Sequence, residues 1–370
     1  MPPWKLTIDA RCMGTGIGTY ILNLLANLRS KETGFTVCAI AKGVDQQRLV
    51  PFCDEVRIVD VPIYGIREQW NIPQAAAGCD LLHVPHYNVP ILHRGPLVVS
   101  IHDLIHLMDP SVSSLVKLYA KPMMALAVRK AKHVITVSEY SKSKIVERLG
   151  IDPSNISVIY NGVSPGFGLQ DPDYAYAELS RRISIPRHYF LFIGNLKPHK
   201  NLIRLLEAFA RWRRLDRGDH HLLIVGEDTR YKSLLIRERS RLGLDEEVSF
   251  FPRLPNDLIP KLYAAATALI MPSTLEGFGL PVIEAMASGT PVICSNATSL
   301  PEVAGDAAEY FDPYSVTEIV AAIERVVSSS DRQAILRKRG LSRASEFSWE
   351  RSAREHCRLY RSVLNGGLEN

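Results

Sequence analysis

The stretch ALIMPSTLEGFGLPVIE, residues 268–284, holds an apolar run, a glycine loop and a second apolar run that begins at a proline. The run 268–273 predicts a buried strand, and Pro281 suits the first helical position, where its missing N–H costs no hydrogen bond. In open parallel sheets, ligands bind where a strand ends and a helix begins, and the helix N–H groups attract anions. The stretch therefore predicts an α/β fold with a seat for a pyrophosphate at this loop.

The same alternation of strand and helix patterns runs through both halves of the chain, and after about residue 331 only helix patterns follow. Two such runs predict two doubly wound, Rossmann-like parallel sheets facing each other. The predicted strands of the first half are 6–8, 35–41, 56–61, 80–84, 96–101, 133–137 and 156–160, and those of the second half are 189–195, 220–227, 247–251, 268–273, 291–296 and 308–311.

Between the halves lies NGVSPGFGLQDPDYA, residues 161–175, which is rich in Gly, Pro and Asp and has no period. This composition predicts an interdomain linker, and the DPD at 171–173 within it predicts a turn and not a metal-binding Asp-x-Asp. We expect one domain over 1–168, a second over 169–345, and a C-terminal helix over 346–370 that packs back toward the first domain.

The composition is that of a globular protein, with 46% hydrophobic and 22% charged residues in a chain of 370. Six scattered cysteines without metal-ligand spacing, the lack of a signal peptide and the lack of a membrane-length apolar run lead us to expect a cytoplasmic protein. The net charge of +5 is compatible with an anionic substrate or with peripheral contact with anionic lipid, for example at the inner face of the cytoplasmic membrane. The basic run 332–343 has no interleaved aromatics, so we expect no nucleic-acid partner.

Three glycines follow the first strand, in MGTGIGTY at 13–20. Gly14, Gly16 and Gly18 would let the backbone approach a phosphate at the start of a helix, although a plain glycine turn is the alternative. The spacing is not G-x-G-x-x-G, and no acid closes the following strand, which argues against a dinucleotide site.

His102 and Asp103 come directly after the strand 96–101. A neutral histidine there can exchange hydrogen bonds with a sugar hydroxyl, and the adjacent aspartate can orient it. The alternatives are an exposed loop pair or a histidine bonded only to backbone. Other histidines lie nearby in the pattern, but a zinc site would need clearer acid or cysteine partners, so we expect no metal.

Lys200 lies in FIGNLKPHKNL, residues 192–202, where a strand is followed by a helix. A lysine at a helix start places a cation against a phosphate, the alternative being a solvated surface lysine.

Two carboxylates flank the loop of the opening stretch, and the backbone N–H groups of Phe278, Gly279 and Leu280 are expected to face the pyrophosphate. Glu284 lies one turn inside the helix, and since helical side chains lean toward the N-terminus it can reach the same cavity as Glu276. Carboxylates beside an anion need other hydrogen-bond donors, and sugar and ribose hydroxyls fit that role. The alternative for each is a surface carboxylate near a helix start.

The spacing Glu276-x7-Glu284 with GFGLP inside it resembles the signature of retaining glycosyltransferases of the glycogen-synthase and mannosyltransferase type, family 4, which have the two-domain GT-B fold. TGIG, the His-Asp pair, NGV, GNLKPHKN and the terminal helices occur in the family's order along the whole chain. DAR…TGIGTY, LLHVPHYNVP and SIHDLIHL look most like the bacterial mannosyltransferase-like branch that builds surface polysaccharides.

This resemblance implies a role for each matching residue, with 1–168 on the acceptor side and 169–345 binding the donor. Glu276 would face the transferred sugar and Glu284 would bind the donor ribose. The further implied contacts are Lys200 to phosphate, His102 with Asp103 beside the donor sugar, Gly16 and Ile17 to the phosphate from the other domain, Phe278, Gly279 and Leu280 through N–H groups, and Arg253 and Leu254 beside the base.

One position departs from the family. Many members carry arginine directly after the glycine where this chain has Asn195, so one cationic contact to the diphosphate is missing, or is supplied by Arg253.

The expected activity is retaining transfer of a hexose, with mannose from GDP-mannose the best choice, to a saccharide or lipid-linked saccharide, without cofactor or metal. Two other classes stay open. One is a sugar-nucleotide enzyme on the same fold, such as a non-hydrolysing epimerase, which would release no free nucleoside diphosphate with an acceptor. The other is a dinucleotide-binding oxidoreductase or a non-catalytic nucleotide-binding module, and the module would tolerate loss of Glu276.

Overall fold

A computed structural model describes residues 3–14, 16–28, 34–215, 218–227 and 229–366. The chain forms two compact units: the N-terminal unit, residues 1–164 with 348–370, and the C-terminal unit, residues 165–347. The units change over after residues 164 and 347, where the sequence predicts 168 and 345. In the described part of the chain, no helix is both long enough and apolar enough to cross a membrane.

The N-terminal unit is built on a seven-stranded parallel sheet of order β3-β2-β1-β4-β5-β6-β7. Every residue of β4, β5 and β6 is buried, as in a parallel sheet with helices on both faces. Its elements up to residue 164 are β1 Trp4–Asp9, α1 Gly16–Leu28, β2 Phe35–Ala41, α2 Gln46–Leu49, β3 Glu55–Ile58, α3 Glu68–Ala75, β4 Leu81–Val84, β5 Leu97–Ser100, α4 Ile105–Met108, α5 Ser114–Lys130, β6 His133–Thr136, α6 Glu139–Leu149 and β7 Ile156–Val158.

The C-terminal unit repeats this design with a six-stranded parallel sheet of order β10-β9-β8-β11-β12-β13. Both orders reverse at a central pair, β1 with β4 and β8 with β11, so the predicted doubly wound fold is confirmed. The elements are α7 Pro172–Ser180, β8 Tyr189–Ile193, α8 Leu202–Arg213, β9 His221–Val225, α9 Thr229–Arg241, β10 Val248–Phe251, α10 Ile259–Ala265, β11 Ala268–Met271, α11 Leu280–Ala287, β12 Val292–Ser295, α12 Leu300–Ala304, β13 Ala308–Phe311, α13 Val316–Val327 and α14 Ser330–Ala344.

The predicted linker 161–175 is wrong at its C-terminal end, and so is the predicted turn at 171–173, because α7 begins at Pro172. The Asp171 side chain caps this helix by accepting a hydrogen bond from the Tyr174 N–H at 2.8 Å. An aspartate at the N-cap followed by proline at the first helical position is a helix start signal, and here it prevails over the turn composition.

The last helix, α15 Trp349–Leu364, belongs to the N-terminal unit and packs on α1. A chain of buried hydrogen bonds fastens it there. Tyr360 OH lies 2.8 Å from His83 Nδ1, and His83 Nε2 lies 2.8 Å from Ser100 Oγ. Tyr20 OH lies 3.0 Å from the same Ser100 oxygen and 2.6 Å from His356 Nε2. Because burial lowers the pKa of His356 to about 4, this histidine joins the chain as a neutral ring.

Gly162 explains the NGV motif physically, because the start of α15 passes directly over it. A Cβ at this position would lie 2.1 Å from the Trp349 nitrogen, closer than any side chain can approach backbone. Trp349 itself is 2% exposed. The C-terminal helix can therefore dock only where residue 162 has no side chain.

We expect Gly162→Ala to lower the free energy of unfolding by about 3 kcal/mol, because the new methyl group forces α15 away from the N-terminal unit. Urea unfolding followed by circular dichroism measures the loss. The matched control is Gly168→Ala, where a Cβ would meet no atom of the described residues within 4 Å and the backbone does not need glycine. Equal stability of the two variants would contradict the packing argument.

Candidate active site

Lys200 and Glu276, which are 76 positions apart, form an ion pair at the carboxyl edge of the central strands of the C-terminal unit. Lys200 Nζ lies 2.5 Å from Glu276 Oε1, and Ser273 Oγ donates to the same oxygen at 2.8 Å. The two charged side chains are only 13% and 9% exposed. β8 and β11 are neighbours in the sheet, so the loops that follow them bring the two predicted residues together.

Asn201 holds the backbone beside this ion pair in place, a role that was not predicted from the sequence. The residue has a left-handed backbone, φ 58°, and is 5% exposed. Its amide nitrogen donates to the carbonyls of Pro272 at 3.0 Å and Pro313 at 2.7 Å. The turn before α8 is thereby tied to the ends of β11 and β13, which fixes the direction in which Lys200 leaves the backbone. Lys200 lies in a 3-10 turn, Pro198–Lys200, and not in the helix start that the sequence predicts.

The glycine loop between Glu276 and α11 is held by two hydroxyl residues that the sequence also left unnoticed. The Glu276 N–H donates to Thr298 Oγ1 at 3.2 Å. Ser299 Oγ lies 3.1 Å from the Glu276 carbonyl and 3.2 Å from the Phe278 carbonyl. Phe278 is 4% exposed, and its ring packs edge-on against Phe347. The loop backbone is therefore set by its own unit.

The start of α11 differs by one residue from the prediction. Gly279 is the N-cap, with φ 101°, Leu280 is the first helical residue, and Pro281 is the second and not the first. Proline fits there too, because the first four N–H groups of a helix make no intrahelical bond. A Cβ at Gly279 would lie 2.7 Å from the Leu300 side chain, so the space and the backbone angle both require glycine.

Glu284 has a partner of its own, since Tyr263 OH donates to its Oε2 at 3.1 Å. Burial raises the pKa of Glu284 to about 7. The contacts of Glu276 are to Lys200 and Ser273, so the two carboxylates sit in different surroundings, one charge-paired and one bonded to a neutral phenol.

The remaining predicted residues of this unit follow β8 and β10. Asn195 and Arg253 are exposed, and Leu254 is 9% exposed. The Arg253 N–H donates to Glu227 Oε1 at 3.2 Å, which joins the loops after β9 and β10. A Cβ at Gly226 would lie 1.9 Å from the Gly194 oxygen, so that glycine, unnoticed in the sequence, lets the loops after β8 and β9 touch.

In the N-terminal unit, His102 follows β5 with its ring edge-on to Tyr20, the centroids being 4.8 Å apart. Its Nε2 is buried and has no hydrogen-bond partner among the described residues. A neutral imidazole has one N–H donor and one lone-pair acceptor, so Nε2 can exchange a hydrogen bond with a hydroxyl group. Burial lowers the pKa of His102 to about 4, which keeps the ring neutral.

The Asp103 carboxylate accepts from the Ile105 N–H at 2.9 Å and so forms the turn into α4. That Asp103 orients the His102 ring stays a prediction.

Gly16 and Ile17 open α1, and Gly16 is exposed. A Cβ on Gly14 or Gly16 would meet no atom of the described residues within 4 Å, whereas one on Gly18 would lie 2.2 Å from the Met13 oxygen. Of these three glycines, only Gly18 is required by its contacts with the described residues of the unit.

A buried charge network at the ends of β1 and β4 was not predicted. Arg11 donates to Asp9 at 2.7 Å and to Glu68 at 3.0 Å, and all three side chains are at most 1% exposed. His86 Nε2 lies 3.4 Å from the Asp9 carboxylate. Arg11 and His86 hold the pKa of Asp9 far below its usual range despite the burial, so the carboxylate is charged. The network fixes the loops on either side of the topological switch point.

The three histidines that lie near His102 in the sequence pattern have separate partners: His83 contacts Ser100, His86 lies beside Asp9, and His106 contacts Tyr87. Among the described residues, no three His, Cys, Asp or Glu side chains group as metal ligands would.

Two parallel-sheet domains of this order are the GT-B architecture, and known proteins agree with it. Sucrose-phosphate synthase from Thermosynechococcus elongatus superposes with a TM-score of 0.83 at 19% identity, over 98% of this chain and 100% of that one. HepE of Anabaena, solved in complex with UDP-glucose, gives 0.80 at 21% identity, over 97% and 99%.

The sequence comparisons define the family. The model of glycosyl transferases group 1 matches residues 180–343, and that of glycosyltransferase family 4 matches residues 14–167. O-antigen chain mannosyltransferase B of Escherichia coli is 30% identical over 283 residues, covering 76% of this chain and 74% of that protein. O-antigen chain mannosyltransferase RfbU of Salmonella typhimurium is 31% identical over 251 residues, covering 68% and 66%. The chain therefore belongs to the family 4 glycosyltransferases.

We expect Asn201→Gly to weaken the binding of a nucleoside diphosphate about 10- to 100-fold, because it keeps the left-handed backbone but loosens the turn that aims Lys200. Calorimetric titration with GDP and with UDP measures the loss. The control is Tyr189→Phe, which removes a buried hydroxyl bond to the Leu262 carbonyl at the amino end of β8. If both variants lose stability but neither loses affinity, the positioning role is excluded.

The raised pKa of Glu284 predicts a pH-dependent stability. The folded chain keeps this proton up to pH about 7, while the unfolded chain releases it near 4.5, so stability falls as pH rises between the two values. Glu284→Gln should therefore be more stable than the parent by about 1–3 kcal/mol at pH 8, and equally stable below about pH 4.5. Denaturant unfolding across this range measures the difference. A pH-independent difference, or one as large for the exposed Glu246→Gln, would contradict the assignment.

Proposed function

We propose that the protein is a retaining hexosyltransferase that moves mannose from GDP-mannose to a saccharide or lipid-linked saccharide in surface polysaccharide synthesis. The observation that carries the proposal is the Lys200–Glu276–Ser273 cluster beside a glycine loop and helix start, on a family 4 chain. Mannose is favoured because two similar proteins are named O-antigen chain mannosyltransferases.

The C-terminal unit would bind the donor. Lys200 and the N-terminus of α11 carry the positive charge and partial charge that a leaving diphosphate needs, and they would supply it without a metal ion. Lys200 now pairs with Glu276, so a bound diphosphate would take over the lysine and release Glu276 Oε1. Asn195 and Arg253 are exposed at the same strand edge and would flank the diphosphate and the base with Leu254.

Glu276 would bind the sugar and Glu284 the ribose. The two protein hydrogen bonds of the Glu276 carboxylate both go to Oε1, and within the described residues Oε2 is left to accept from a sugar hydroxyl. Glu284 accepts one bond from Tyr263 and, like any carboxylate, can accept more from the two ribose hydroxyls.

The N-terminal unit would contribute the neutral His102 and the glycine loop of Gly16 and Ile17. His102 Nε2 has no partner among the described residues, and a hydroxyl group of a sugar, which can donate and accept, would be a fitting one. The glycine loop can approach a phosphate closely because Gly16 has open space where a side chain would be.

Retention follows most simply if the acceptor enters on the face that the diphosphate leaves. The bond from the anomeric carbon to the phosphate oxygen breaks, the acceptor oxygen bonds to that carbon, and the departing phosphate oxygen takes the acceptor's proton. Attack by the Glu276 carboxylate on the anomeric carbon, followed by transfer of the sugar from that carboxylate to the acceptor, is the other route. A lipid-linked acceptor would bring the chain to a membrane surface as a peripheral protein, and the net charge of +5 favours anionic lipid.

We expect Glu276→Ala to lower sugar transfer about 100- to 1,000-fold while nucleotide binding stays nearly intact. A panel of sugar nucleotides is first screened for protection against thermal unfolding, and GDP-mannose is expected to raise the melting point most. Release of nucleoside diphosphate and the anomeric configuration of the product are then measured with the protecting donor. Glu246→Ala, at an exposed glutamate, is the control.

Full turnover by Glu276→Ala would overturn the assignment of that residue. Product of inverted configuration would overturn retention, and protection by a different sugar nucleotide would overturn GDP-mannose. Turnover without free nucleoside diphosphate would point to an epimerase instead.

A further inference from the structure

A cluster of three tyrosines lies past the ends of β3 and β4 in the N-terminal unit. The ring centroid of Tyr64 is 5.7 Å from that of Tyr87 and 6.2 Å from that of Tyr119, the second pair being edge-on. Tyr87 is buried at 8% exposure, but Tyr64 and Tyr119 are 49% and 40% exposed. Tyr64 and Tyr119 are thus partly exposed to solvent, whereas Tyr87 is buried.

The hydroxyl groups of Tyr87 and Tyr119 are bonded to protein. Tyr87 OH lies 2.7 Å from His106 Nδ1. Tyr119 OH donates to Asn88 Oδ1 at 2.5 Å, and the Asn88 amide donates in turn to Glu68 of the buried charge network. Because its hydroxyl is bonded to Asn88, the ring of Tyr119 is held in a fixed orientation.

Tyr64 has a left-handed backbone, φ 69°, which an aromatic residue rarely adopts. Such a conformation is strained and persists where the surroundings impose it, often at a binding site. Glycine would relieve the strain. The ring must therefore contribute something that glycine lacks, and nearly half of the residue's surface remains uncovered.

The cluster lies at the carboxyl edge of the sheet. Tyr87 and His106 follow β4 and β5, and Tyr119 lies near the start of α5, which runs back from that edge. The glycine loop after β1 and His102 after β5 share the same edge. In open parallel sheets this is the edge where ligands bind.

We propose that Tyr64 and Tyr119 form a subsite that stacks on a sugar ring of the acceptor saccharide. A sugar ring has a face of C–H groups that packs on an aromatic face, and rigid aromatic side chains supply such contact at low entropic cost. That the bound saccharide is the acceptor rests on the proposed glycosyl transfer. The binding surface itself is inferred from the geometry of the cluster.

A neutral, hydroxyl-bearing ligand fits this place better than a lipid chain. Behind the rings lie an amide, a carboxylate and an imidazole, from Asn88, Glu68 and His106. Exposed aliphatic side chains also lie nearby in sequence, among them Ile66, Leu115 and Leu118. Lipid binding is therefore an outcome to be tested against.

The test is saturation-transfer NMR on the full chain without donor, with a panel of methyl disaccharides of mannose, glucose, galactose and N-acetylglucosamine as probes. We expect transfer to at least one probe, reduced about tenfold in Tyr64→Gly and in Tyr119→Ala and retained in Tyr64→Phe and Tyr119→Phe. Tyr64→Gly should fold well, since glycine accepts φ 69°. Tyr174→Ala, at a 61% exposed tyrosine of the C-terminal unit, is the control.

The subsite is excluded if no probe receives saturation from the parent chain, or if transfer survives removal of both rings. It is also excluded if the rings are needed only for co-sedimentation with phosphatidylglycerol vesicles. Thermal protection by GDP-mannose is measured on the same variants and should not change. Loss of that protection in the parent chain would refute the proposed donor and leave the saccharide result to decide the subsite.

Discussion

The adjacency of β8 and β11 places Lys200 against Glu276, and the chemistry of the C-terminal unit depends on this contact. A nearly buried ion pair is a weak source of stability, because removing both charges from water costs about as much as their attraction returns. Under the proposed function, the value of the pair would be in binding. Without a donor each charge compensates the other, and a diphosphate that took Lys200 would leave the carboxylate ready for sugar hydroxyls. Asn201, Ser273 and Thr298 keep the two partners in place for that exchange.

The two units place different chemical groups at the carboxyl edges of their parallel sheets. The C-terminal unit presents a lysine, a helix N-terminus and two carboxylates, which suit a charged, hydroxyl-rich donor. In the N-terminal unit the charges of Asp9, Arg11 and Glu68 are buried and mutually paired. What lies nearer the surface is a neutral histidine, glycines and tyrosine rings, which suit a neutral saccharide. The division of donor and acceptor between the units is thus consistent with their electrostatics.

Local pattern predicted most of the fold, since every predicted strand is present and differs mainly at its ends. Buried parallel strands are continuous apolar runs, which a sequence displays directly. The start of α7 was missed because Asp-Pro also favours turns. Asn201, Thr298, Ser299 and the network of Asp9 and Arg11 were missed for another reason: their partners are far away in sequence, and no local period reveals such pairing.

The glycines can now be divided by what requires them. Gly162, Gly226 and Gly279 are required within their own unit, since a Cβ at each would lie within 2.7 Å of a neighbouring atom. Gly18 is required in the same way by Met13. Gly14 and Gly16 have neither a steric neighbour among the described residues nor a left-handed backbone, and alanine would favour the helix that Gly16 opens. Contacts within the described residues therefore do not require glycine at these two positions. A ligand that approaches the backbone closely would require it, and the proposed function assigns such a contact, with a phosphate, to Gly16.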